Sequence, residues 1–258
     1  FHNLNVESVR GNIIELVTEP GARLESEVPG YLSAEISKMT NANEVFGALA
    51  QGYSRWGDVL AQSHVSSGPA MADVLDKLIS LEIVQKRAPI NDPTNKRKSG
   101  YYVVDPLSLF YYRYVFRNTS ARQLLDPEVF FDRHVSRDFE ENYVPHMFEE
   151  ICRQYLVRQN RTGKIEPAFD AIGKYWYDDP ANKTSGEFDV VTQDPEGYAF
   201  YEAKFRKSPI TQMMVDKEIA QVEATGLKCH RYGFFSRSGF EASSDNKTIL
   251  IDLPQMFD

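Results

Sequence analysis

Three side chains, Asp189, Glu202 and Lys204, have the residue types and the spacing that most favour chemistry in this sequence. Two carboxylates that face each other across a pair of strands repel, so such a pair is expected where it shares a proton or binds a cation. A lysine beside them can stabilise negative charge or orient a water molecule. These residues therefore predict a site for cation-dependent or acid–base chemistry.

A β-hairpin must position these side chains, and two apolar runs with a turn between them predict it. The segments are 187–193, 194–197 and 198–205, and the turn reads Asp-Pro-Glu-Gly. Counting back from the turn gives the pairs Gln193–Tyr198, Asp189–Glu202 and Glu187–Lys204. Because side chains alternate along a strand, the last two pairs are expected on one face. A plainer interpretation stays open, in which Glu187 and Lys204 form an exposed ion pair worth under about 1 kcal/mol and the other two carboxylates are solvated.

Length and composition indicate a globular protein of two modules. The chain has 258 residues, which exceeds the usual size of one domain. Its 42% hydrophobic and 26% charged residues are ordinary for a soluble protein. The two cysteines, Cys152 and Cys229, are too few for a disulfide scaffold and lie in no metal-binding spacing, which favours a cytoplasmic location.

Hydropathy and charge exclude further classes. No apolar run approaches the roughly 20 residues that span a bilayer and no charged-then-apolar leader is found, so we expect no membrane association. The net charge of -8 argues against a protein that coats nucleic acid, because a field of that sign repels phosphate. Any contact with nucleic acid must therefore be local. The sequence begins at Phe1 rather than at methionine, so we also expect a fragment of a longer protein.

The first half predicts a winged helix-turn-helix over residues 43–117, preceded by a helical connector over 1–42. The connector is predicted to contain a helix at 7–17, a stop at Glu19-Pro20-Gly21 and a polar stretch with Pro29-Gly30. The predicted helices are 44–52, 56–63 and 67–81, and the predicted strands are 83–90 and 100–105. The segment Asp105–Phe116 begins with a capping aspartate and a proline and is rich in aromatic residues, which predicts an interior helix.

Contact between this predicted winged helix and DNA depends on its third helix and its wing. The third helix is net acidic, with Asp73, Asp76 and Lys77 among its polar positions, so it is not expected to read bases. The tip of the wing is basic and consists of Lys96, Arg97 and Lys98. These three residues are candidates for phosphate contacts, and a solvated loop tip is the alternative.

The second half predicts a helical bridge over 118–143 and a separate domain over 144–258. The elements of that domain are a helix at 144–157, a strand at 171–177, the hairpin, a helix at 210–225 and strands at 230–235 and 248–253. This order, with Glu187-Phe-Asp189 on the second strand and Glu202-Ala-Lys204 on the third, resembles the PD-(D/E)XK nuclease superfamily. The expected fold class is mixed α/β: an N-terminal winged helix-turn-helix followed by an αβββαβ PD-(D/E)XK nuclease-like domain.

The resemblance implies metal-dependent hydrolysis of DNA. An attacking water must lose a proton while negative charge grows on the phosphoryl oxygens, and a divalent cation serves both needs. We expect Mg2+ or Mn2+, with Asp189 and Glu202 as ligands and the carbonyl of Ala203 as a ligand that the family implies. Lys204 is expected to orient the water or to stabilise charge at the phosphate.

The same superfamily implies an acidic residue on the first helix of the domain, and the sequence offers Glu149 and Glu150. Glu149 is preferred because it shares a helical flank with Cys152. Gln212 or Gln221, on the helix after the motif, is a weaker candidate, since most glutamines on helices face solvent.

Both halves together resemble the C-terminal part of archaeal-type P-loop ATPases. The segments that carry this resemblance are 48–52, 101–106, 148–155, 172–176 and 187–191. In that family an AAA-like domain precedes the winged helix, and the chain closes with the nuclease-related domain of unknown function 234. The sequence contains no GxxxxGK(S/T) motif, so no ATPase activity is expected of this chain, and control by an ATPase domain or partner is implied.

Three functions remain open from the sequence. The first is a metal-dependent DNA endonuclease, for which a homodimer is expected because double-strand cleavage would generally need two centres. The second is a non-catalytic nucleic-acid-binding or regulatory module on a nuclease fold. The third is a winged-helix interaction protein whose second half is structural.

Overall fold

The computed structural model describes residues 4–5, 8–36, 39–179 and 184–257, which fall into two compact units. Unit 1 comprises Phe1–Arg87 and Ser99–Glu140, and unit 2 comprises Ala88–Lys98 and Glu141–Asp258. The loop 88–98 therefore belongs to unit 2, although it joins two strands of unit 1. The mixed α/β class expected from the sequence is confirmed.

Unit 1 is mainly helical. Its elements are α1 (Val9–Ile13) with a π-helical continuation (Ile14–Thr18), α2 (Glu27–Glu35), α3 (Met39–Ala50), α4 (Trp56–Gln62), α5 (Gly68–Ser80), β1 (Val84–Arg87), β2 (Gly100–Val103), α6 (Pro106–Phe110) with π-helical (Tyr111–Val115) and 3-10 (Phe116–Asn118) continuations, α7 (Thr119–Leu124), α8 (Pro127–His134) and α9 (Ser136–Asp138). Strands β1 and β2 pair antiparallel. The predicted helices at 56–63 and 67–81 and the predicted strand pair are confirmed to within a few residues at each end.

The polar stretch with Pro29 and Gly30, for which the sequence indicated only a connector, forms helix α2. Pro29 lies in the first turn of the helix. Backbone N–H groups there make no hydrogen bond within the helix, so the absence of an N–H in proline costs nothing. Val28 and Leu32 are buried. Burial of these apolar side chains outweighs the unfavourable helix propensity of glycine.

The interior helix predicted after Asp105 is confirmed. The Asp105 carboxylate caps α6 by accepting a hydrogen bond from the backbone N–H of Ser108 at 2.7 Å. Tyr112 is fully buried and stacks on Phe46 with 4.4 Å between ring centroids. Its hydroxyl donates to Oδ1 of Asn43 at 2.6 Å, so the buried polar atom is satisfied.

Unit 2 is built on a sheet with helices on either side. Its elements are α10 (Val144–Arg161), β3 (Ala171–Asp179), β4 (Thr184–Asp194), β5 (Gly197–Lys204), β6 (Ile210–Thr211), α11 (Gln212–Ala224), β7 (Cys229–Ser236), β8 (Phe240–Glu241), β9 (Thr248–Asp252) and a 3-10 turn (Pro254–Met256), with a π-helical segment (Phe139–Tyr143) before α10. The five-stranded sheet has the order β3-β4-β5-β7-β9. The pairs β3–β4 and β4–β5 are antiparallel, and the pairs β5–β7 and β7–β9 are parallel.

Two apolar cores cover opposite faces of this sheet. Cys152 and Leu156 of α10 pack in one cluster with Tyr201, whereas Val222 of α11 packs in the other with Phe200. Adjacent residues of β5 thus contribute to different cores, as alternation along a strand requires. Among the described residues, no helix has the length and apolar character needed to cross a membrane.

Loop 88–98 lies along the free edge of β3. The N–H of Ile90 donates to the carbonyl of Lys174 at 2.7 Å. The amide of Asn91 donates to the Trp176 carbonyl at 2.7 Å and accepts from the Trp176 N–H at 3.0 Å. These contacts satisfy backbone groups that an edge strand would otherwise expose.

Candidate active site

A β-bulge lies in β4 at the predicted site. The pairs that flank it are Gly173–Val191 and Tyr175–Phe188. Lys174 of β3 therefore faces two residues of β4, Asp189 and Val190. Phe188 and Val191 both join the α11-side core, which unbroken alternation would not allow. The expectation of strict alternation through β4 is wrong at Asp189.

The register of the hairpin agrees with the prediction. Gln193 pairs with Tyr198, and the ladder keeps this register for three more pairs. Asp189 and Glu202 are the next residues of the two strands beyond the last of these pairs. The hairpin therefore carries both carboxylates to the same end of the β4–β5 ladder.

Lys204 lies between two carboxylates at the end of β5. Its Nζ is 2.5 Å from Oε1 of Glu202 and 2.9 Å from Oε1 of Glu218 on α11. The three side chains are between 21% and 25% exposed, so water screens these contacts only in part. Glu218 is absent from the set of residues predicted from the sequence.

Burial and charge shift both pKa values in this contact. Burial raises the pKa of the Glu202 carboxyl, Lys204 offsets part of that rise, and the nearby charges of Glu218 and Asp189 add to it. Burial acts to lower the pKa of Lys204, but the two glutamates outweigh it and the pKa is raised. Lys204 is thus held protonated. The carboxylates of Glu202, Glu218 and Asp189 together also attract positive charge from a bound group.

A second lysine, Lys174, forms ion pairs with two carboxylates of β4. Its Nζ lies 2.6 Å from Oε1 of Glu187 and 3.0 Å from Oδ1 of Asp189. The described ion pairs therefore join Glu187 with Lys174, whereas the sequence sets it opposite Lys204. A cation that binds Asp189 would compete with the Lys174 ammonium.

Glu149 lies on α10, which packs on the opposite face of the sheet from α11. Its carboxylate is 3.7 Å from Nδ1 of His146. The described contacts do not join it to the Lys204 cluster. The neighbouring Phe148 contacts Phe205, next in sequence to Lys204, with 5.3 Å between ring centroids. This part of α10 therefore packs near the end of β5, and the role of Glu149 stays a prediction.

The other predicted residues of the domain have structural partners or face solvent. Ala203 pairs with Phe235 in the parallel β5–β7 ladder. Gln212 donates to Oδ1 of Asp216 at 2.9 Å, within α11. Gln221 is exposed. A catalytic or metal-binding role for these residues stays a prediction.

The basic tip of the loop lies within unit 2. Lys98 Nζ is 3.5 Å from Oδ2 of Asp92 and 5.2 Å from the centre of the Trp176 ring. Lys96 and Arg97 are exposed. Their predicted contacts with phosphate stay predictions.

The described residues provide no metal cage, and the predicted Mg2+ or Mn2+ stays a prediction. Over the described part of the chain, no three or more His, Cys, Asp or Glu side chains are grouped in a way that could hold a metal ion. Magnesium commonly uses one or two carboxylates and keeps several waters. Asp189 and Glu202 are the predicted pair, and in the described structure they form ion pairs with Lys174 and Lys204.

The sequence analysis did not identify Glu218 or Lys174 as site residues, and a sequence pattern marks only Glu218. Val215 and Val222 mark the buried side of α11, and Glu218 lies between them at helical spacing. A carboxylate on the buried side of a helix needs a partner of opposite charge. This requirement indicates a nearby lysine such as Lys204. Lys174 had no such signal, because its contact with Asp189 depends on the bulge.

Comparison with known proteins gives a family match and a distant relative. Residues 111–221, which include Asp189, Glu202, Lys204 and Glu218, match DUF234, a family described as Archaea bacterial proteins of unknown function. An uncharacterized protein of Methanocaldococcus jannaschii, MJECL04, is 27% identical over 157 residues, which are 60% of this chain and 34% of the relative. The match thus spans about a third of that relative's length.

Two solved structures are similar at a low level. The protein of unknown function AF1548 is 16% identical with a TM-score of 0.25, over 40% of this chain and 57% of that one. VC1899 from Vibrio cholerae is 11% identical with a TM-score of 0.27, over 86% of this chain and 54% of that one. TM-scores this low do not establish a common fold.

Proposed function

We propose that this chain is a metal-dependent nuclease module of the PD-(D/E)XK type, which hydrolyses DNA phosphodiester bonds and is attached to a winged helix. The observation that carries the proposal is the contact of Lys204 with Glu202 and Glu218 beside the carboxylate of Asp189. An ATPase domain or partner outside this chain would control it, as the sequence resemblance implies.

The order of elements supports both parts of this assignment. In unit 2, α10 precedes three antiparallel strands, and α11 leads into the parallel strand β7. In unit 1, three helices, α3 to α5, precede the β1–β2 hairpin. The first order is the one expected of a PD-(D/E)XK domain, and the second is the one expected of a winged helix.

Each residue of the cluster would have a separate role in hydrolysis. Asp189 and Glu202 would hold Mg2+ or Mn2+, which supplies an activated water and neutralises charge at the phosphate. Lys204, kept protonated by its carboxylate neighbours, would hold the growing negative charge of the phosphoryl oxygens. Glu218 would position the ammonium of Lys204 and would not itself touch the substrate.

Cleavage of supercoiled and linear DNA in Mg2+ or Mn2+ tests the proposal. Lys204→Met and Asp189→Asn are expected to abolish cutting, and EDTA is expected to do the same. Lys217→Met is the matched control, since Lys217 is an exposed lysine of α11 one residue before Glu218. Cutting that survives both site variants, or that needs no metal, would refute the assignment.

A second function, a non-catalytic nucleic-acid-binding or regulatory module, is favoured by one observation. Lys204 and Lys174 already neutralise the carboxylates of the site, and the described residues contain no grouped metal ligands of the usual kind. Binding of fluorescent DNA, followed by anisotropy, separates the two functions. DNA binding without cleavage in any metal, unchanged in Lys204→Met, supports this second function.

A further inference from the structure

A cavity of about 300 Å3 lies on the α10 face of the unit 2 sheet, between α10 and β9. It is separate from the Lys204 cluster, which faces α11. Its polar lining includes Gln159, Lys164, Arg231 and Gln255. Its apolar lining includes Tyr155 and Ile249.

Gln159 is the least usual of these residues. The residue is only 8% exposed. Within the described residues its amide makes no hydrogen bond to another protein group, whereas the neighbouring Asn160 amide bonds to the backbone of Phe169 in both directions. The buried side-chain atoms that lack a partner among the described residues are Thr18 Oγ1 and Thr211 Oγ1, so the amide atoms of Gln159 are open to the solvent of the cavity. Because Gln159 lines the cavity, a polar group bound there would replace that solvent as its hydrogen-bond partner.

The charged groups of the lining are both cationic. Lys164 and Arg231 line the cavity, and no Asp or Glu is found among the described lining residues. One Nη of Arg231 donates to the carbonyl of Glu166 at 2.9 Å. A guanidinium has five N–H donors, so capacity for an anion remains. In a chain of net charge -8, this local excess of positive charge selects anions.

The aromatic wall is held in a fixed position. Tyr201 is 3% exposed and lies against Gly233 of β7, its partner in the ladder. A Cβ at Gly233 would come within 2.2 Å of the tyrosine ring, so only glycine permits this close approach. A preformed apolar wall with a few polar groups is typical of small-molecule sites.

We propose that this cavity binds a small organic anion, with a single carboxylate or phosphate group on a flat apolar body. Arg231 and Lys164 would contact the anionic group, Gln159 would bond a polar atom, and Tyr155 and Tyr201 would contact the body. The cavity holds the volume of about ten water molecules, which restricts the ligand to the small end of the usual range. This site is independent of the proposed nuclease activity.

Nuclear magnetic resonance of the whole 15N-labelled chain tests the site directly. The probes are phenyl phosphate and 4-hydroxybenzoate, each titrated to about 5 mM, with benzyl alcohol and inorganic phosphate as partial ligands. The side-chain amide signal of Gln159, assigned by its loss in Gln159→Leu, is expected to shift and to saturate with at least one anionic probe. A response to only one of the two anions identifies its anionic group as the one selected.

Variants separate specific binding from chance contact. Arg231→Gln is expected to weaken binding at least about tenfold, and Gln159→Leu at least about fivefold, because each removes a hydrogen bond to the ligand. Lys217→Gln, on the other face of the sheet, is expected to leave binding unchanged. Backbone signals of β9 report binding in the Gln159 variant.

Three results would overturn the proposal: no shift with either anionic probe, equal affinity for benzyl alcohol or inorganic phosphate, or unchanged affinity in Arg231→Gln. Signals outside the cavity report whether each variant is folded. If Gln159→Leu does not fold, Arg231→Gln still decides the outcome.

Discussion

The ammonium of Lys204 on β5 lies 2.9 Å from a carboxylate oxygen of Glu218 on α11, and Glu202 shares the same ammonium. One lysine thus joins a strand to the helix that follows it in the chain. Since each carboxylate is less than a quarter exposed, removal of the lysine would leave two poorly solvated negative charges.

Lys204→Met is therefore expected to lower the free energy of unfolding by about 1–3 kcal/mol at neutral pH. The loss should shrink near pH 5. Without the lysine, the pKa of Glu202 rises further above its ordinary value, so protonation on acidification removes part of the repulsion and favours the folded state. Urea denaturation at both pH values measures this. The exposed Lys217→Met should change stability by less than about 0.5 kcal/mol, and an equal loss at both pH values in Lys204→Met would contradict the explanation.

For the proposed nuclease, the same charges predict how the rate of DNA cleavage declines at low pH. Glu202 must be ionised to hold a cation, and its pKa is raised, mainly by burial and further by Glu218 and Asp189. Activity should therefore fall on acidification at a pH above the ordinary glutamate value. In Glu218→Gln one repelling charge is gone, so the midpoint should move to lower pH. A midpoint that stays in place, measured from cleavage rates in Mg2+, would exclude this role for Glu218.

Lys174→Met should increase the affinity for Mn2+. In the native chain Lys174 lies 3.0 Å from Asp189, where its charge opposes a second cation. Loss of this competitor is expected to tighten Mn2+ binding by about 3–10-fold, measured by electron paramagnetic resonance of free Mn2+. Lys247→Met, at an exposed lysine, should leave the affinity unchanged. Equal affinity in Lys174→Met would show that Asp189 is not a ligand.

Arg122→Met should destabilise unit 1 strongly. The buried guanidinium donates to the carbonyls of Thr18 and Glu19 at 2.6 and 3.0 Å and pairs with Glu25 at 2.7 Å. Its loss leaves the end of the first helical segment uncapped and is expected to cost about 2–4 kcal/mol in the free energy of unfolding. Denaturant unfolding measures the effect, and Arg133→Met at an exposed arginine is the control. A loss below about 1 kcal/mol would contradict the capping role.

Both thiols should react slowly in the native chain. Burial, followed by the charge of Glu223, raises the pKa of Cys229 to about 12, and burial with the charge of Glu149 raises that of Cys152 even further. At pH near 8 the thiolate fraction is small, so labelling with an aromatic disulfide should be about 100–1,000-fold slower than for a free cysteine. Two thiols per chain should react at once in guanidinium. Cys229→Ser assigns the slow phases, and rapid labelling of the native chain would contradict the burial of these groups.

Local patterns predicted most elements because their signals lie within a few residues. Helix α5 follows from the spacing of Met71, Leu75 and Leu78, and α6 from the Asp105 cap. The hairpin register followed from its turn, since Gln193–Tyr198 pairing depends only on the loop between them. Helix α2 was not identified from the sequence, because its stretch is polar and contains Pro29, which a helix tolerates in its first turn.

The sequence by itself determined most of the strands and helices of this protein, and it placed Asp189, Glu202 and Lys204 at one end of a hairpin. Only the tertiary structure decided their partners. Glu218 reaches Lys204 through the packing of α11 on the sheet, and Lys174 reaches Asp189 through a bulge that no local pattern marks. The physical reason is that periodicity, caps and turns act between near neighbours in the chain, whereas ion pairs between elements depend on how distant segments pack.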